Sequence, residues 1–309
     1  MQQVRLLRPR LVAQLDSARQ HRLTVLNAPA GYGKSTLLKQ WAPVRALRLS
    51  LTAADSDPEL FRMHLLTLLD EHYPHARARR FSPSPEHLAA ELLNALATCA
   101  SEMTVILDGY EHIHHHTLIQ QAVEYAPPTL HLVIATRRRP DLPLGRLRAR
   151  GLLLELGITD LAFRPEETIA YLTVACGATP EASIALHKCT GGWAVGLRRA
   201  AALTAEGLSS AEVVRYLKSD PTLARYLDAV AFAAEPAPVR EVLLAGAQEG
   251  TFDATACDPA VQERLEAGHL YITPQNGGLR YRLEPLYAAF LRRRGTACGQ
   301  GASSAHYKL

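Results

Sequence analysis

The stretch NAPAGYGKSTLLKQW, residues 27–41, decides the fold of this 309-residue chain. It follows a short β-rich run at residues 23–27, LTVLN, and leads into apolar residues at helical spacing. Strand, glycine-bearing loop and helix therefore follow one another directly. Backbone N–H groups and the positive end of the helix dipole meet at such a loop, so the stretch predicts a site for phosphate groups.

The loop matches the pattern G-x-x-x-x-G-K-[ST] at its last fixed positions, Gly33, Lys34 and Ser35. Ala28 stands where the first glycine belongs, which a negative φ would tolerate. Lys34 is predicted to reach the β- and γ-phosphates, and the Ser35 hydroxyl is predicted to bind Mg²⁺. Predicted nucleotide-binding residues run through the loop and the first helical turn: Ala30, Gly31, Tyr32, Gly33, Lys34, Ser35 and Thr36. A plain glycine turn between strand and helix stays open as the alternative.

A second motif, TVILDGYEHI at residues 104–113, is an apolar run that ends in an acidic residue. Asp108 at that end is predicted to hold Mg²⁺ together with Ser35, in the position known as Walker B. Arg137 follows another apolar run and is predicted to reach the γ-phosphate, with a solvated loop charge as the alternative. The candidate catalytic residues are Asp108, Glu111 and Arg137.

The composition narrows the class of protein. The formal net charge of +4 is spread along the chain, so charge alone does not indicate a nucleic-acid partner. The five cysteines are odd in number and form no C-x-x-C pair, which favours a reducing compartment. No apolar run approaches the ~18 residues that span a bilayer. We expect a cytoplasmic, soluble protein with no membrane partner.

Strands and helices alternate along the first half of the chain. Besides residues 23–27, short apolar runs predict strands at residues 45–51, 103–109, 130–136 and 152–157. Helices are predicted from Pro9, from Lys34 to before Pro43, from Pro58, and over residues 86–100 after an exposed loop at residues 74–85. This alternation implies an α/β fold with a doubly wound parallel sheet, whose ligand lies at the carboxyl ends of the strands.

The second half predicts a helical segment and then a helix–hairpin–helix unit. A helix is predicted to begin at Pro165, and further helix surrounds residues 184–207. Asp258 and Pro259 begin another helix, and QNGG at residues 275–278 predicts a hairpin. A last helix is predicted over residues 285–294. Helix, hairpin and helix together predict a winged helix.

These motifs occur in the order found in the family of MalT and large LuxR-type regulators, which the chain resembles from about Arg8 to Arg294. Those regulators are signal-transduction ATPases with numerous domains (STAND). The resemblance is carried by RPRL (8–11), APAGYGKST (28–36), VILDGYEHI (105–113), PPTLHLVIATRRRPDLPLGRLRARG (127–151), LELGITDLAFRPEE (154–167) and GGWAVGLRRAA (191–201).

The resemblance implies a P-loop NTPase domain over residues 1–163, a small helical lid domain over 164–216 and a winged-helix domain over 217–295. The tail over 296–309 is small and polar with no periodic apolar face, which predicts disorder. The resemblance also adds Arg8 and Pro9 to the residues that contact ATP or ADP. The implied function is an ATP-binding regulatory switch that rearranges between ADP and ATP states and self-associates in the ATP state. Direct DNA binding by this chain is not expected. The alternatives are an active ATPase or small-molecule kinase, and a DNA-binding winged-helix protein with a vestigial nucleotide domain.

Certain residues depart from the family pattern. Gly109 stands where members usually carry a second acidic residue after the Walker B aspartate, and Glu284 stands where they tend to carry a histidine that contacts the diphosphate. Both departures predict weak or absent hydrolysis, and Gly109→Asp is expected to raise turnover. We interpret the chain as truncated to the nucleotide-binding and winged-helix modules. A fragment, a frameshifted remnant and a stand-alone switch module stay open.

Overall fold

The computed structural model describes residues 6–41, 46–72, 102–125 and 127–303. The described residues fall into two compact units. The sheet unit comprises Arg8–Ala28 and Lys34–Gly157, and the helical unit comprises Met1–Leu7, Pro29–Gly33 and Ile158–Leu309. The loop predicted at residues 74–85, the helix predicted at residues 86–100 and the helix-stopping Pro43 lie outside the described residues.

The sheet unit is built on parallel strands, five of them within the described residues, in the order β2-β3-β4-β1-β5. Their bounds are Leu23–Asn27 (β1), Ala46–Ser50 (β2), Met103–Asp108 (β3), Leu130–Thr136 (β4) and Leu153–Leu156 (β5). Each neighbouring pair is parallel. The predicted doubly wound parallel sheet is confirmed. Each strand falls inside the apolar run that predicted it, because a strand covered on both faces is apolar throughout.

The sheet register brings the carboxyl ends of the motif-bearing strands together. Strand β4 lies between β1 and β3, with Asn27 opposite Thr136 and Asp108 opposite Ala135. On the other side of β3, Ser50 is opposite Asp108. Open α/β sheets bind ligands at this edge, so the register places the candidate residues of this unit where a ligand is expected.

Of the described helices of the sheet unit, those that begin at Pro9, Lys34 and Pro58 were predicted from the sequence, and the other two were not. Their bounds are Pro9–Ser17 (α1), Lys34–Gln40 (α2), Pro58–His72 (α3), Thr117–Tyr125 (α4) and Leu144–Ala149 (α5). In α2 the side chains of Leu37 and Leu38 are buried, and Trp41 is buried just beyond its end. Burying one leucine stabilises the fold by roughly 1.5–3 kcal/mol, so these contacts hold the start of α2 at the edge of the sheet.

The first part of the helical unit is a run of helices with regular caps. Their bounds are Ile158–Leu161 (α6), Pro165–Cys176 (α7), Pro180–Thr190 (α8), Ala194–Ala205 (α9), Ser210–Leu217 (α10) and Pro221–Leu227 (α11). As predicted, Pro165 opens its helix, and its fixed φ suits that position. Gly177 and Gly191 end α7 and α8 in the left-handed conformation, which costs glycine no steric strain.

The last part of the unit has the predicted helix–hairpin–helix order. Its elements are Ala237–Glu249 (α12), Thr251–Asp253 (β6), Pro259–Glu266 (α13), Ile272–Gln275 (β7), Arg280–Leu283 (β8) and Pro285–Ser303 (α14). Strand β8 lies between β6 and β7 and pairs antiparallel with both. Helix α14 continues past residue 296, where the disordered tail was predicted to begin, and residues 304–309 lie outside the described part of the chain. The domain boundaries at 163/164 and 216/217 stay predictions.

No helix among the described residues is by itself long and apolar enough to cross a bilayer. A bent pair, Ile158–Cys176 with Pro180–Thr190, reaches the necessary length and composition jointly, with an angle of 115° between its parts. Leu172 and Leu186 of this pair are buried inside the helical unit.

Candidate nucleotide-binding site

Lys34 is the first residue of α2, and its side chain turns back toward the end of β1. Its Nζ donates a hydrogen bond to the main-chain carbonyl of Ala28. Loss of hydration lowers the pKa of Lys34 to about 8, while the charges of Glu111 and Asp108 raise this pKa and the charge of Arg137 lowers it. Lys34 and the candidate catalytic residues therefore lie within electrostatic reach of one another.

Ser35 and Asp108 form the predicted magnesium pair. The Ser35 hydroxyl donates a hydrogen bond of 2.9 Å to Oδ1 of Asp108. Hydroxyl and carboxylate oxygens are ligands that Mg²⁺ prefers, so this donor set fits the ion. Within the described residues no group of three or more His, Cys, Asp and Glu side chains could hold a metal ion. Mg²⁺ held by Ser35 and Asp108 would take its other oxygens from the nucleotide and water.

Arg48 is a member of this site that the sequence did not predict. From β2 its Nη2 donates to Oδ2 of Asp108 at 2.8 Å and to the main-chain carbonyl of Ser35 at 3.3 Å. The side chain of Arg48 is 24% exposed and that of Asp108 is 12% exposed. The sequence feature that could have indicated Arg48 is a positive charge inside the mostly apolar run RALRLSL, two residues before the end of β2.

Glu111 and Arg137 are brought together, but they bind each other. Nε of Arg137 lies 2.9 Å from Oε1 of Glu111, and the Arg137 main-chain N–H donates to Oε2 at 3.1 Å. Glu111 lies on a 3-10 turn, Tyr110–His112, that directly follows Gly109. Both carboxylate oxygens of Glu111, a predicted catalytic residue, are therefore engaged by Arg137.

Gly109 has a conformational role that the sequence interpretation did not include. Its φ of +93° lies in the left-handed region, and a Cβ at this position would lie 2.7 Å from the main-chain oxygen of Leu51. A side chain at position 109 would collide with Leu51, the residue after β2. The backbone therefore argues against the expectation that Gly109→Asp raises turnover.

The middle of the phosphate loop, Pro29–Gly33, packs within the helical unit. The Ala30 carbonyl accepts a hydrogen bond from Nε1 of Trp193 at 3.1 Å and another from the Tyr271 hydroxyl at 2.8 Å. Gly31 has a φ of +82°, and a Cβ there would lie 2.7 Å from Nε1 of Trp193. Trp193 is thus a buried core residue of the helical unit, and its hydrogen bond also holds the loop.

Tyr32 is buried with 1% of its surface exposed, although it lies in a predicted ligand loop. Its ring packs against Tyr271, and its hydroxyl lies beside Glu284. Burial and the Glu284 charge raise the Tyr32 pKa well above its usual value. Glu284 accepts a hydrogen bond from the Thr273 hydroxyl, and burial raises the Glu284 pKa. Glu284 is therefore a buried carboxyl group that is held by Thr273 beside Tyr32.

The remaining predicted residues lie at the borders of the site. Gly33 has a φ of +82° and open space around the position of a Cβ, and Thr36 is exposed on α2. Ala28 is buried directly after β1. Arg8 is buried and precedes α1, whose first residue is Pro9; α1 packs against α2. Contact of Arg8 and Pro9 with a nucleotide stays a prediction.

Sequence comparison finds transcriptional regulators that resemble this chain. The chain is 28% identical over 313 residues to the HTH-type transcriptional regulator MalT of Klebsiella pneumoniae (strain 342), and 28% identical over 316 residues to MalT of Serratia proteamaculans (strain 568). Both alignments cover 93% of this chain and 35% of the relative. The chain therefore spans about a third of the length of the curated relatives it matches. No family model matches it.

Comparison with solved structures shows the fold. The Walker-type ATPase PABY2304 of Pyrococcus abyssi superposes with a TM-score of 0.61 at 13% identity, over 91% of this chain and 94% of that one. The STAND protein PH0952 of Pyrococcus horikoshii, which has a tetratricopeptide repeat sensor, gives a TM-score of 0.50 at 15% identity, over 94% of this chain and 43% of that one. By sequence this chain is similar to the MalT transcriptional regulators, and its fold is that of the Walker-type ATPase PABY2304.

Proposed function

We propose that this chain is the ATP-binding switch module of a MalT-like transcriptional regulator. The observation that carries the proposal is the convergence of Lys34, Ser35 and Asp108 at the start of α2. The Ser35 hydroxyl lies 2.9 Å from Asp108, and the Asp108 charge acts on Lys34. A cation, a hydroxyl and a carboxylate at a helix N-terminus suit a nucleotide phosphate chain with Mg²⁺.

Each residue has one role in this proposal. Lys34 binds the β- and γ-phosphates, and the loop N–H groups surround the β-phosphate. Ser35 and Asp108 hold Mg²⁺, which neutralises phosphate charge when it is bound. Arg137 contacts the γ-phosphate, and this contact requires the guanidinium to leave Glu111. Since the γ-phosphate is what distinguishes ATP from ADP, Arg137 gives the module a contact that differs between the two ligands.

The helical unit supplies the response in this proposal. Residues 29–33 belong to that unit, and the Ala30 carbonyl is bound by Trp193 and Tyr271 in its core. A change in loop conformation on nucleotide binding therefore acts directly on buried side chains of the helical unit. We propose that this rearrangement exposes a surface for self-association in the ATP state.

Hydrolysis is slow or absent in this proposal. Oε1 of Glu111 is paired with the Arg137 side chain and Oε2 accepts from the Arg137 main chain. Gly109 cannot carry the second carboxylate without strain. An active ATPase would need Glu111 free to position the attacking water, so the same contacts disfavour the enzyme alternative.

The DNA-binding alternative loses support at the arginines of α14. Nη1 of Arg292 donates to the Ala247 carbonyl at 2.7 Å. Arg294 lies 3.2 Å from Asp228 and stands over the Phe232 ring. These guanidinium groups stabilise the helical unit, which reduces what they can offer to phosphates of a nucleic acid.

The proposal is tested by titrating a fluorescent ATP analogue into the wild-type chain, Lys34→Ala and Lys39→Ala, followed by phosphate release. Lys39 is an exposed lysine of the same helix, so its variant controls for general charge. We expect Lys34→Ala to bind at least tenfold more weakly and Lys39→Ala to bind as the wild type does. Equal binding by wild type and Lys34→Ala would refute the site, and rapid phosphate release would favour the ATPase alternative.

A further inference from the structure

Arg48 reaches the predicted magnesium residues because of the register of β2 with β3. Arg48 is opposite Ile106, and Ser50 is opposite Asp108. Residues two apart on a strand share a face, so Arg48 and Asp108 project from the same side of the sheet. The arginine stem is long enough to carry its guanidinium to the strand end, where Asp108 lies.

The contacts of Arg48 divide the Asp108 carboxylate between two partners. Oδ1 accepts from the Ser35 hydroxyl at 2.9 Å, and Oδ2 accepts from Nη2 of Arg48 at 2.8 Å. The same Nη2 donates to the Ser35 carbonyl at 3.3 Å. The guanidinium therefore contacts both residues that would hold Mg²⁺, and it places a fixed positive charge beside them.

We propose that Arg48 is a resident cation of the nucleotide site, which supplies beside Asp108 part of the positive charge that Mg²⁺ would supply there. The inference rests on the proposed nucleotide site and adds its metal dependence. Nucleotide binds with little loss of affinity when metal is absent. Mg²⁺ engages Asp108 only when the guanidinium gives up Oδ2, so the ion competes with Arg48.

A purely stabilising ion pair explains this arrangement less well. Partly exposed pairs contribute little to folding stability because water and salt screen them. The hydrogen bond to the Ser35 carbonyl also directs the guanidinium toward the start of α2. Arg62 forms an ordinary surface ion pair with Glu59 on α3. Substitution of Arg62 is therefore the control for substitution of Arg48.

The experiment measures affinity for a fluorescent ATP analogue in EDTA and across a Mg²⁺ titration, for the wild type, Arg48→Gln and Arg62→Gln. In EDTA we expect Arg48→Gln to bind about tenfold more weakly than the wild type, because the resident charge is lost. Mg²⁺ should restore the affinity of Arg48→Gln. We expect the Mg²⁺ concentration that gives half of the full change in affinity to be about tenfold lower for this variant than for the wild type. Arg62→Gln should match the wild type in both measurements.

Arg48→Lys distinguishes charge from folding. It keeps the cation, so its affinity in EDTA should stay within about threefold of the wild type. If Arg48→Gln and the wild type have the same affinity in EDTA and the same Mg²⁺ half-saturation, while Lys34→Ala loses binding, the resident cation is refuted and the nucleotide site stands. If the wild type and Lys34→Ala bind equally, the nucleotide site itself fails.

Discussion

Lys34, the first residue of α2, has a lowered pKa because burial removes much of the hydration of its side chain. Its pKa is about 8, and only the charged form attracts phosphates. Below pH 8 the lysine is already protonated, so this group leaves nucleotide affinity nearly independent of pH. Above pH 8 the affinity should fall by up to tenfold per pH unit, until the higher pKa of the complex is reached.

Fluorescent-nucleotide titrations from about pH 7 to about pH 9.5 measure this dependence. Lys34→Arg keeps its charge throughout this range and should remove the slope, while Lys39→Arg should retain it. A wild-type affinity that stays constant up to pH 9.5 would show that Lys34 does not set the phosphate contact.

Gly109 is fixed by its backbone rather than by the chemistry of the site. Its φ of +93° and the 2.7 Å approach to the Leu51 oxygen predict that Gly109→Ala and Gly109→Asp both destabilise the chain, by about 1–3 kcal/mol. Gly145→Ala is the control, since Gly145 lies in α5 with open space around it and should cost no stability. Urea unfolding measures the difference. An unchanged midpoint for Gly109→Ala would contradict the assigned strain.

At the scale of elements, the sequence predicted the sheet more completely than the site. Parallel strands such as β3 and β4 are apolar on both faces, so local composition reveals them. Strand β6 has three residues, Thr251–Asp253, and its apolar pattern is too short to detect. The contact of Arg48 with Asp108 joins residues 60 positions apart, and it depends on a register that only the folded sheet defines.

The segment GGWAVGL shows a different limit of sequence reasoning. Its family likeness was visible, but the physical reason for its glycines was not. A Cβ at Gly192 would lie 2.3 Å from the Phe163 oxygen, and one at Gly191 would lie 2.6 Å from Oε2 of Glu284. Both glycines have positive φ, so they allow distant parts of the helical unit to approach closely.

The start of α12 is joined to α13 and to the residues before β7 through Glu235. This buried carboxylate binds Arg264 at 2.8 Å and His269 at 2.7 Å. Burial by itself raises the pKa of Glu235, but hydrogen bonds and charges from His269 and Arg264 outweigh it and lower the pKa to about 2. Because the folded pKa lies below the unfolded value near 4.5, this contribution to stability is present above pH 4.5 and is lost as pH falls toward 2.

Glu235→Gln should therefore destabilise the helical unit by about 1–3 kcal/mol at neutral pH, since it breaks a buried charged network. Its stability should also fall less than that of the wild type between about pH 5 and about pH 3. Glu241→Gln, at an exposed position of α12, is the control and should behave as the wild type does. Urea unfolding midpoints at several pH values measure these differences. If the wild type and Glu235→Gln lose the same stability between about pH 5 and about pH 3, the role of Glu235 is contradicted.

On the scale of the whole chain, Pro29–Gly33 of the phosphate loop belongs to the helical unit, where Trp193 binds it. Changes at Trp193 should therefore affect nucleotide binding. Trp193→Phe keeps the buried ring but removes the N–H that binds the Ala30 carbonyl. We expect this variant to bind nucleotide about three- to tenfold more weakly, because the loop loses one of the hydrogen bonds that hold its conformation.

The chain has two tryptophans, and Trp41 offers a matched control because its Nε1 donates to Asp16 instead. Trp41→Phe should bind nucleotide normally, and its remaining indole, Trp193, should change fluorescence on nucleotide addition. In Trp193→Phe the remaining Trp41 should change little. A signal that comes from Trp41 alone would contradict coupling between the loop and the helical unit.

The carbonyl of Ala30 has a consequence for protein engineering. Trp193 and Tyr271, more than 160 and 240 positions downstream, both donate hydrogen bonds to this carbonyl. The conformation of the ten-residue stretch 27–36 therefore depends on residues that lie far outside it. If residues 27–36 were transplanted into another strand–helix scaffold, the motif sequence would be kept but the hydrogen bonds from Trp193 and Tyr271 would be lost. Such a chimera should bind nucleotide poorly, even with every signature residue intact.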